Sequence, residues 1–435
     1  MDLFQIISLL FVVTAVFSYI NDRFLRLPPT IGLMLMALVV SSVVAGLGKL
    51  GPGVVAGEVL AFLDSVDFSR FLLHGILSFL LFAGALHVRL EDLKEQKWDI
   101  LSLAVIGTII AGMIIGTLTW FLLGLLGMPV PYRYALIFGA VVAPTDPISV
   151  LGIMKRSGLP NGLRARIIGE SLLNDGVAVA IFLLLIASEK LGREPDIARL
   201  PLMLVREGGG GIALGLAAGF VACRMLRDVS DYGTQVLITL ALVTGSYGLA
   251  EVLGVSGPLG VVAAGILVGN YERRAAVSEE ARRQLDTFWR LLDDIFNAVL
   301  FVLIGLEIMV VDLGRLHLAA ALFAIPIVLF ARAVSVGLPE TILRLPEKPT
   351  VHTARVIGII VWAGLRGGIS VAMVLSLDDG PIRDIMLAMT YAVVAFTMFV
   401  QGLTLRRVAE WLKLGTNNAE EQPGPSSNDE PSAKQ

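Results

Sequence analysis

Long apolar segments separated by short polar loops fill most of the chain. A helix that crosses the hydrocarbon core of a membrane needs roughly 20 apolar residues. By that measure the pattern predicts thirteen spanning helices and an all-α polytopic membrane protein. The predicted spans lie near residues 3–20, 30–47, 70–88, 100–127, 134–154, 167–188, 208–226, 235–253, 257–269, 290–311, 316–338, 353–377 and 383–403.

The composition agrees with this interpretation. Of the 435 residues, 56% are hydrophobic and only 16% are charged, whereas a soluble domain carries about 25% charged residues. No basic face is evident, so nucleic acid is not expected as a partner. The single cysteine, Cys223, excludes an intrachain disulfide and a cysteine-rich metal site. We interpret the apolar N-terminal segment as the first span and expect residues 415–435, which are polar and rich in Pro and Ser, to be a disordered tail.

Arg and Lys are more frequent in the loops that follow odd-numbered spans than in those that follow even-numbered spans. Cytoplasmic loops carry an excess of these residues. The alternation therefore predicts an N-terminus outside and a C-terminus in the cytoplasm. The loop after the fifth span contributes Lys155, Arg156, Arg164 and Arg166 to this count.

Few ionisable residues fall well inside the predicted spans, and burying each of them costs several kcal/mol unless it is paired or faces water. They are Asp146, Glu170, Asp175, Glu307, Arg332 and Arg366. Such residues usually form ion pairs or line an ion pathway. Glu307 lies near a span end, where its side chain can reach water.

The sixth span contains the sequence GESLLNDG, in which Glu170 and Asn174 lie four residues apart and Ser171 and Asp175 form the neighbouring pair. On a helix these four side chains face roughly one direction. We interpret Asp175 as an ion ligand. The alternative is a polar cluster that only holds helices together.

A second polar group lies in the fifth span, where Pro144 and Pro147 flank Thr145 and Asp146. Each proline removes a backbone donor and disturbs a helix. We therefore expect an unwound segment whose free carbonyls can bind a cation, with Asp146 balancing the positive end of a half-helix. An ordinary proline kink is the alternative.

A third polar group lies in the twelfth span, where Arg366 is surrounded by Gly364, Gly367 and Gly368. We expect a second interruption here, with Arg366 neutralising the C-terminal end of the opposing half-helix; the alternative is that the glycines only permit close packing. Two interrupted spans in separate halves of a chain indicate an inverted-repeat transporter with its site near the midplane of the membrane.

Arg332, in the eleventh span, needs a partner because an unpaired buried arginine would be very unfavourable. Glu170 is the best candidate. We predict a structural ion pair between them, separate from the ion site.

Several segments together resemble one transporter family. They are APTDPISV, GESLLNDGVA, TFWRLLDDIFNAVLFVLIGLE, ARAVSV, and WAGLRGGISVAMVL followed by VQGLTLRRV. The chain resembles the NhaP-type sodium/proton antiporters, which are related to the eukaryotic Na⁺/H⁺ exchangers. The resemblance implies an NhaA-like fold of thirteen helices with two interrupted crossing helices. It also implies a homodimer and a transmembrane domain over residues 1–414, whose core bundle, including 100–188 and 316–403, moves against dimerisation helices.

The resemblance also implies roles for individual residues. The ion site falls on Thr145, Asp146, Asn174 and Asp175, with Ser171 contributing an oxygen, and Na⁺ bound at Asp175, Thr145 and Ser171. The structural ion pair falls on Glu170 and Arg332. One departure is Ala83, which stands where many relatives have an acidic residue.

We therefore predict a transporter, not an enzyme, that exchanges Na⁺ or Li⁺ for H⁺ because Asp175 holds either a cation or a proton. Asn174 is neutral, so we predict one proton per cation and no net charge movement. The expected location is the inner membrane of a prokaryote, with lipid around the chain and no cofactor. K⁺/H⁺ exchange is the nearest alternative. More distant alternatives are a channel and an intramembrane aspartyl protease that uses Asp146 and Asp175.

Overall fold

The computed structural model describes residues 3–50, 75–146, 159–190, 200–229, 231–274, 279–307, 314–343 and 351–412. Every element in these ranges is helical, and each of the thirteen predicted spans contains a helix. The α-helices are α1 (Leu3–Ile20), α2 (Pro29–Leu50), α3 (Leu77–Leu86), α4 (Leu90–Glu95), α5 (Lys97–Leu101), α6 (Thr108–Leu125), α7 (Tyr132–Val142), α8 (Asn161–Lys190), α9 (Leu200–Met203), α10 (Gly210–Asp228), α11 (Tyr232–Leu253), α12 (Gly257–Arg274), α13 (Glu279–Glu307), α14 (Arg315–Leu343), α15 (Val351–Trp362), α16 (Gly368–Leu375), α17 (Pro381–Phe396) and α18 (Leu403–Trp411).

Short π-helical segments lengthen several of these helices. Asn21–Leu25 extends α1, while Ser102–Gly107, Leu204–Gly209 and Thr397–Gly402 join α5 to α6, α9 to α10 and α17 to α18. Within the described part of the chain, seven continuous helical segments are long and apolar enough to cross a membrane, and five further apolar helices are shorter. The all-α, multi-pass architecture predicted from hydropathy is confirmed.

Two of the shorter spans are interrupted. Helix α7 ends at Val142, and residues 143–146 leave the helical conformation. Helix α15 ends at Trp362, residues 363–367 form a non-helical link, and α16 starts at Gly368. The rest of the fifth predicted span, including Pro147, lies outside the described residues.

Two predicted boundaries differ from the structure. Helix α13 begins at Glu279, well before the predicted start at residue 290, because the segment EEARRQLDTFWRLLDD continues the helix with an apolar stripe on one face. Helix α14 continues to Leu343 through Pro326 and Pro339, so it passes the predicted end at residue 338.

The helices pack in two groups. In the first, α7 packs against α6, α8 and α16, while α14 packs against α6 and α17. In the second, α12 packs against α3, α10 and α11, while α13 packs against α1 and α2. The backbones of α10 and α12 approach closely at Gly215 and Gly260, where a side chain on Gly215 would collide with the Gly260 carbonyl. The first group contains both interrupted helices and therefore all of the predicted ion-site residues.

Candidate functional site

The two helix interruptions meet and bond to each other. The backbone N–H of Asp146 donates to the carbonyl of Leu365 at 2.8 Å. Arg366 Nη1 donates to the carbonyls of Ala143 at 2.6 Å and Pro144 at 2.5 Å. These carbonyls follow the end of α7, where a helix leaves its last carbonyls unpaired and carries partial negative charge. The Arg366 guanidinium therefore lies where it neutralises the C-terminal end of α7.

Two buried hydroxyl groups hold the second interruption in place. The Arg366 backbone N–H donates to Thr397 Oγ1 at 3.1 Å, and Ser370 Oγ donates to the Val141 carbonyl at 2.7 Å. Neither Thr397 nor Ser370 was among the residues singled out from the sequence. Their hydroxyls satisfy backbone groups that the interruptions leave open, a role that many buried Ser and Thr residues share and that sequence alone does not distinguish.

Asp146 lies beside the start of α16. Its side chain packs against Gly367, where a Cβ would come within 2.7 Å of the carboxylate. Gly367 is the residue that precedes the first turn of α16, and helix N-termini carry partial positive charge. The Asp146 carboxylate is thus placed to interact with that end, and only glycine leaves room for it.

Hydrogen bonds connect the first interruption to α8. The Thr145 hydroxyl bonds to Ser171 Oγ at 2.8 Å and accepts from Asn174 Nδ2 at 2.8 Å. The Thr145 backbone N–H also lies 3.4 Å from Asn174 Oδ1. All three side chains are buried. Three of the predicted site residues therefore form one compact polar cluster.

Asp175 lies one residue beyond this cluster on α8 and is only 2% exposed. Its Oδ2 has no hydrogen-bond partner among the described residues. Asp146 and Arg366 are the charged groups that act on it electrostatically. A buried carboxylate oxygen without a hydrogen-bond partner makes the bare anion unfavourable, so a bound proton or a bound cation would stabilise this group.

Glu170 faces a different partner. Both terminal nitrogens of Arg332 bind its carboxylate, with Nη2 at 2.9 Å from Oε2 and Nη1 against Oε1. Arg332 Nη2 also lies 3.3 Å from the Ile360 carbonyl. A two-point arginine–carboxylate contact is among the strongest hydrogen-bonded ion pairs. It ties α8 to α14 and α15 and leaves the Glu170 carboxylate engaged away from Asp175.

One interpretation of the loop charges needs correction. Arg166 was counted as a cytoplasmic loop residue, but it lies within α8, only 3% exposed, and contacts Glu340 of α14. Its Nη1 is also 3.3 Å from Asp99 Oδ2. The position of Arg166, one turn before Glu170, indicates that its side chain could lie on the same buried face of the helix. The sixth predicted span, however, begins at residue 167, and the eleventh ends at residue 338. Both members of the pair therefore fell just outside them.

Two other sequence expectations concern α3 and α13. Ala83 is buried in α3, a helix with no acidic residue, so α3 supplies no carboxylate to the site. The side chain of Glu307, at the end of α13, lies outside the described residues.

Comparison with known proteins relates the chain to membrane exchangers. The model of the family described as "Sodium/hydrogen exchanger, transmembrane" matches residues 11–411. The Na⁺/H⁺ antiporter NhaP of Pseudomonas aeruginosa is 43% identical over 402 residues, covering 92% of this chain and 95% of that protein. The Na⁺/H⁺ antiporter NhaH of Halobacillus dabanensis is 34% identical over 417 residues, covering 94% and 97%.

The fold is also similar to a solved structure. The sodium proton antiporter MjNhaP1 from Methanocaldococcus jannaschii at pH 8 superposes with a TM-score of 0.71. The match covers 96% of this chain and 100% of that one, at 19% identity. At this identity the likeness concerns the fold, including the helical membrane architecture described above.

Proposed function

The chain belongs to the sodium/hydrogen exchanger family, and from this premise we propose that it is a secondary transporter that exchanges Na⁺ for H⁺. The observation that carries the proposal is the buried Asp175 carboxylate beside the cluster that contains the hydroxyls of Thr145 and Ser171. Its Oδ2 has no hydrogen-bond partner among the described residues. A proton and a dehydrated cation compete for this carboxylate. Since only an occupied Asp175 is electrically compensated, only the occupied site crosses the membrane.

Hard oxygen ligands suit an alkali cation, as they suit other hard cations. Asp175, Thr145 and Ser171 supply them, with Asp146 adding negative charge nearby. In the structure the hydroxyls of Thr145 and Ser171 bond to each other at 2.8 Å. Each hydroxyl oxygen has two lone pairs, so both can bind a cation, while the Asn174 amide keeps Thr145 in place through its own 2.8 Å bond.

The proposed stoichiometry is one Na⁺ for one H⁺. Asn174 is neutral, so the pair formed by Asn174 and Asp175 takes up a single proton. The Asp146 carboxylate lies against Gly367 at the start of α16, where the partial positive charge of the helix end balances it, and Glu170 is held by Arg332. These groups do not exchange protons during transport, so the cycle moves no net charge.

Alternating access follows from the two groups of helices. We propose that the core bundle, including 100–188 and 316–403, moves against a scaffold that holds the homodimer interface, and carries Asp175 between the two membrane faces. The chain is a multi-pass membrane protein and works in contact with lipid. We place it in the inner membrane of a prokaryote, with its N-terminus outside and its C-terminus in the cytoplasm. It acts without a cofactor, without nucleic acid and without enzymatic chemistry.

The test is exchange in proteoliposomes that contain the purified protein and a pH-sensitive dye. An imposed Na⁺ gradient should drive H⁺ movement with the parent chain, and Asp175→Asn should abolish it, because the variant side chain cannot bind a proton. Asp228→Asn, an exposed change at the end of α10, is the matched control and should transport like the parent. Cation-driven H⁺ flux in Asp175→Asn would refute the site.

The same vesicles distinguish the alternatives. Gradients of Li⁺ and K⁺ report selectivity, and H⁺ flux driven by K⁺ but not by Na⁺ would favour the K⁺/H⁺ alternative. A voltage-sensitive dye should report no potential generated by turnover, and a steady potential would contradict one-for-one exchange. Cleavage of a membrane substrate without cation flux would instead support the protease alternative.

A further inference from the structure

Helices α8 and α14 are joined by two buried ion pairs of opposite polarity. Near the middle of α8, Glu170 binds Arg332 of α14. One turn closer to the start of α8, Arg166 binds Glu340 of α14. Each helix therefore contributes one carboxylate and one guanidinium to the region between them, where both helices also pack against the π-helical segment Ser102–Gly107. The proposed ion site uses neither Arg166 nor Glu340.

The second pair is buried as deeply as the first. Arg166 is 3% exposed and Glu340 is 1% exposed, while the additional partner, Asp99, has a side chain that is 26% exposed. Ion pairs that are buried this deeply contribute little net stability compared with apolar side chains. They strongly disfavour any arrangement that separates the partners, because separation would leave a buried charge unpaired. The two pairs therefore favour the one arrangement of α8 and α14 in which both pairs form.

The alternating polarity favours one relative position of α8 and α14. Arg166 and Glu170 are four residues apart on α8, and Arg332 and Glu340 are eight residues apart on α14. A shift of α8 by about one turn in either direction would separate Glu170 from Arg332. It would also move Arg166 toward Arg332, or Glu170 toward Glu340, which brings like charges closer in a low-dielectric environment. A single ion pair would allow the helices to pivot about it. Two pairs, one turn apart along α8, restrict both the axial position and the rotation of this helix.

This relative position matters because the ion site is assembled from two parts. Ser171, Asn174 and Asp175 belong to α8. Thr145 belongs to the first interruption, where the backbone N–H of Asp146 donates to the Leu365 carbonyl of the second interruption. That interruption is in turn tied to α14, since Arg332 contacts the Ile360 carbonyl. The position of α8 against α14 therefore determines whether the side chains of α8 meet Thr145.

We propose that Arg166 and Glu340 are positioning residues for cation binding, setting the register of α8 so that Asp175 and Ser171 face Thr145. The inference rests on the proposed exchange function. It assigns to these two residues a role in Na⁺ affinity, although Arg166 lies nine residues before Asp175 on α8, which is about 13.5 Å at 1.5 Å of rise per residue.

The decisive variant is the double change Arg166→Gln/Glu340→Gln. It removes both charges together, so no buried charge is left without its partner, and Asp99 can turn to water. Each single change leaves one buried charge and serves as the stability comparison. Arg166→Lys keeps the charge. Arg406→Gln, which breaks the exposed pair between Arg406 and Glu410, is the matched control.

Two measurements are made on each purified variant. The first is the apparent KM for Na⁺ in proteoliposome exchange, with Vmax determined separately. The second is the Na⁺ concentration that half-saturates thermal stabilisation in detergent, which reports binding without transport. We expect the double variant to fold like the parent but to require about tenfold more Na⁺ in both measurements, the scale set by losing one hydrogen bond to a charged group. Arg166→Lys should recover part of the affinity, and Arg406→Gln should match the parent.

The outcomes separate the two proposals. If the parent shows no Na⁺/H⁺ exchange, the proposed function fails. If the parent exchanges and the folded double variant keeps the parent's Na⁺ dependence in both measurements, the positioning role is wrong. A double variant with reduced Vmax and unchanged Na⁺ affinity also overturns it, because that result indicates a purely structural pair.

Discussion

The two buried acidic side chains of α8, Glu170 and Asp175, have contrasting environments. The Glu170 carboxylate is bound at both oxygens by Arg332, whereas Asp175 Oδ2 lacks a hydrogen-bond partner among the described residues. Because the Glu170 carboxylate has a positively charged partner and the Asp175 carboxylate has an oxygen without one, these two acids of the same helix take different roles in the proposed mechanism. Glu170 stabilises the bundle, and Asp175 remains available to an ion.

At the residue scale we predict that Glu170→Gln destabilises the protein by about 3–5 kcal/mol, because it leaves Arg332 buried without a carboxylate. The thermal midpoint of the purified protein measures this change. Glu410→Gln, which breaks an exposed pair with Arg406, should change stability by at most about 1 kcal/mol. Equal thermal midpoints for Glu170→Gln and the parent would contradict the prediction.

Some contacts of single residues could be argued from the sequence. The ion pair between Arg332 and Glu170 could be predicted, because an arginine in the middle of an apolar span requires a buried acidic partner and the spans contain few acidic residues. Arg166 and Glu340 could not be paired in this way. They lie near helix ends, where hydropathy does not distinguish a solvated charge from a buried one.

At the scale of elements, the two interruptions function as one unit. The end of α7, the link between α15 and α16, and the start of α16 exchange backbone hydrogen bonds and place Asp146 against Gly367. Each interruption supplies groups that compensate the other. A disturbance of one half-helix is therefore transmitted to both.

We predict that Gly367→Ala impairs exchange, because its Cβ would lie within 2.7 Å of the Asp146 carboxylate. Overpacking of this kind typically costs about 1–3 kcal/mol, and displacement of Asp146 should raise the Na⁺ concentration needed for half-maximal exchange. Gly245→Ala, at an exposed position of α11 with open space around it, is the control and should behave like the parent. Parental Na⁺ dependence in Gly367→Ala would show that this contact is unimportant.

The existence of the spans and of both interruptions was predictable, because apolar length, paired prolines and clustered glycines each have a direct effect on the backbone. Helix ends were less predictable. The early start of α13 depends on an amphipathic segment whose mean hydropathy is polar. Helix α14 continues through Pro339, although proline in a helix interior removes a backbone hydrogen bond and disfavours the helix.

On the scale of the whole molecule, the helices that carry the candidate site form one packing group and those around α12 form another. The proposed mechanism requires these groups to change their relative position while each keeps its internal contacts. It also requires a fixed orientation in the membrane, which the loop charges predict.

Cysteine labelling in intact cells tests that orientation. In a Cys223→Ser background, Asp379→Cys should react with a membrane-impermeant maleimide added outside, because residue 379 follows an even-numbered span and its side chain is 92% exposed. Asp228→Cys, which follows an odd-numbered span and is also exposed, should react only after the cells are opened. The reverse pattern would indicate the opposite topology.

The residue that follows Asp175 on α8 is a glycine packed against α12. A Cβ on Gly176 would lie 2.6 Å from Leu259 Cγ, so at this level α8 presents bare backbone to a leucine of the other group. Helices normally interlock by fitting ridges of side chains into grooves, and here Leu259 fills the groove that Gly176 leaves open. Any larger side chain beside the proposed ion site would displace Leu259, so the absence of a side chain at this position sets how closely the two groups of helices approach.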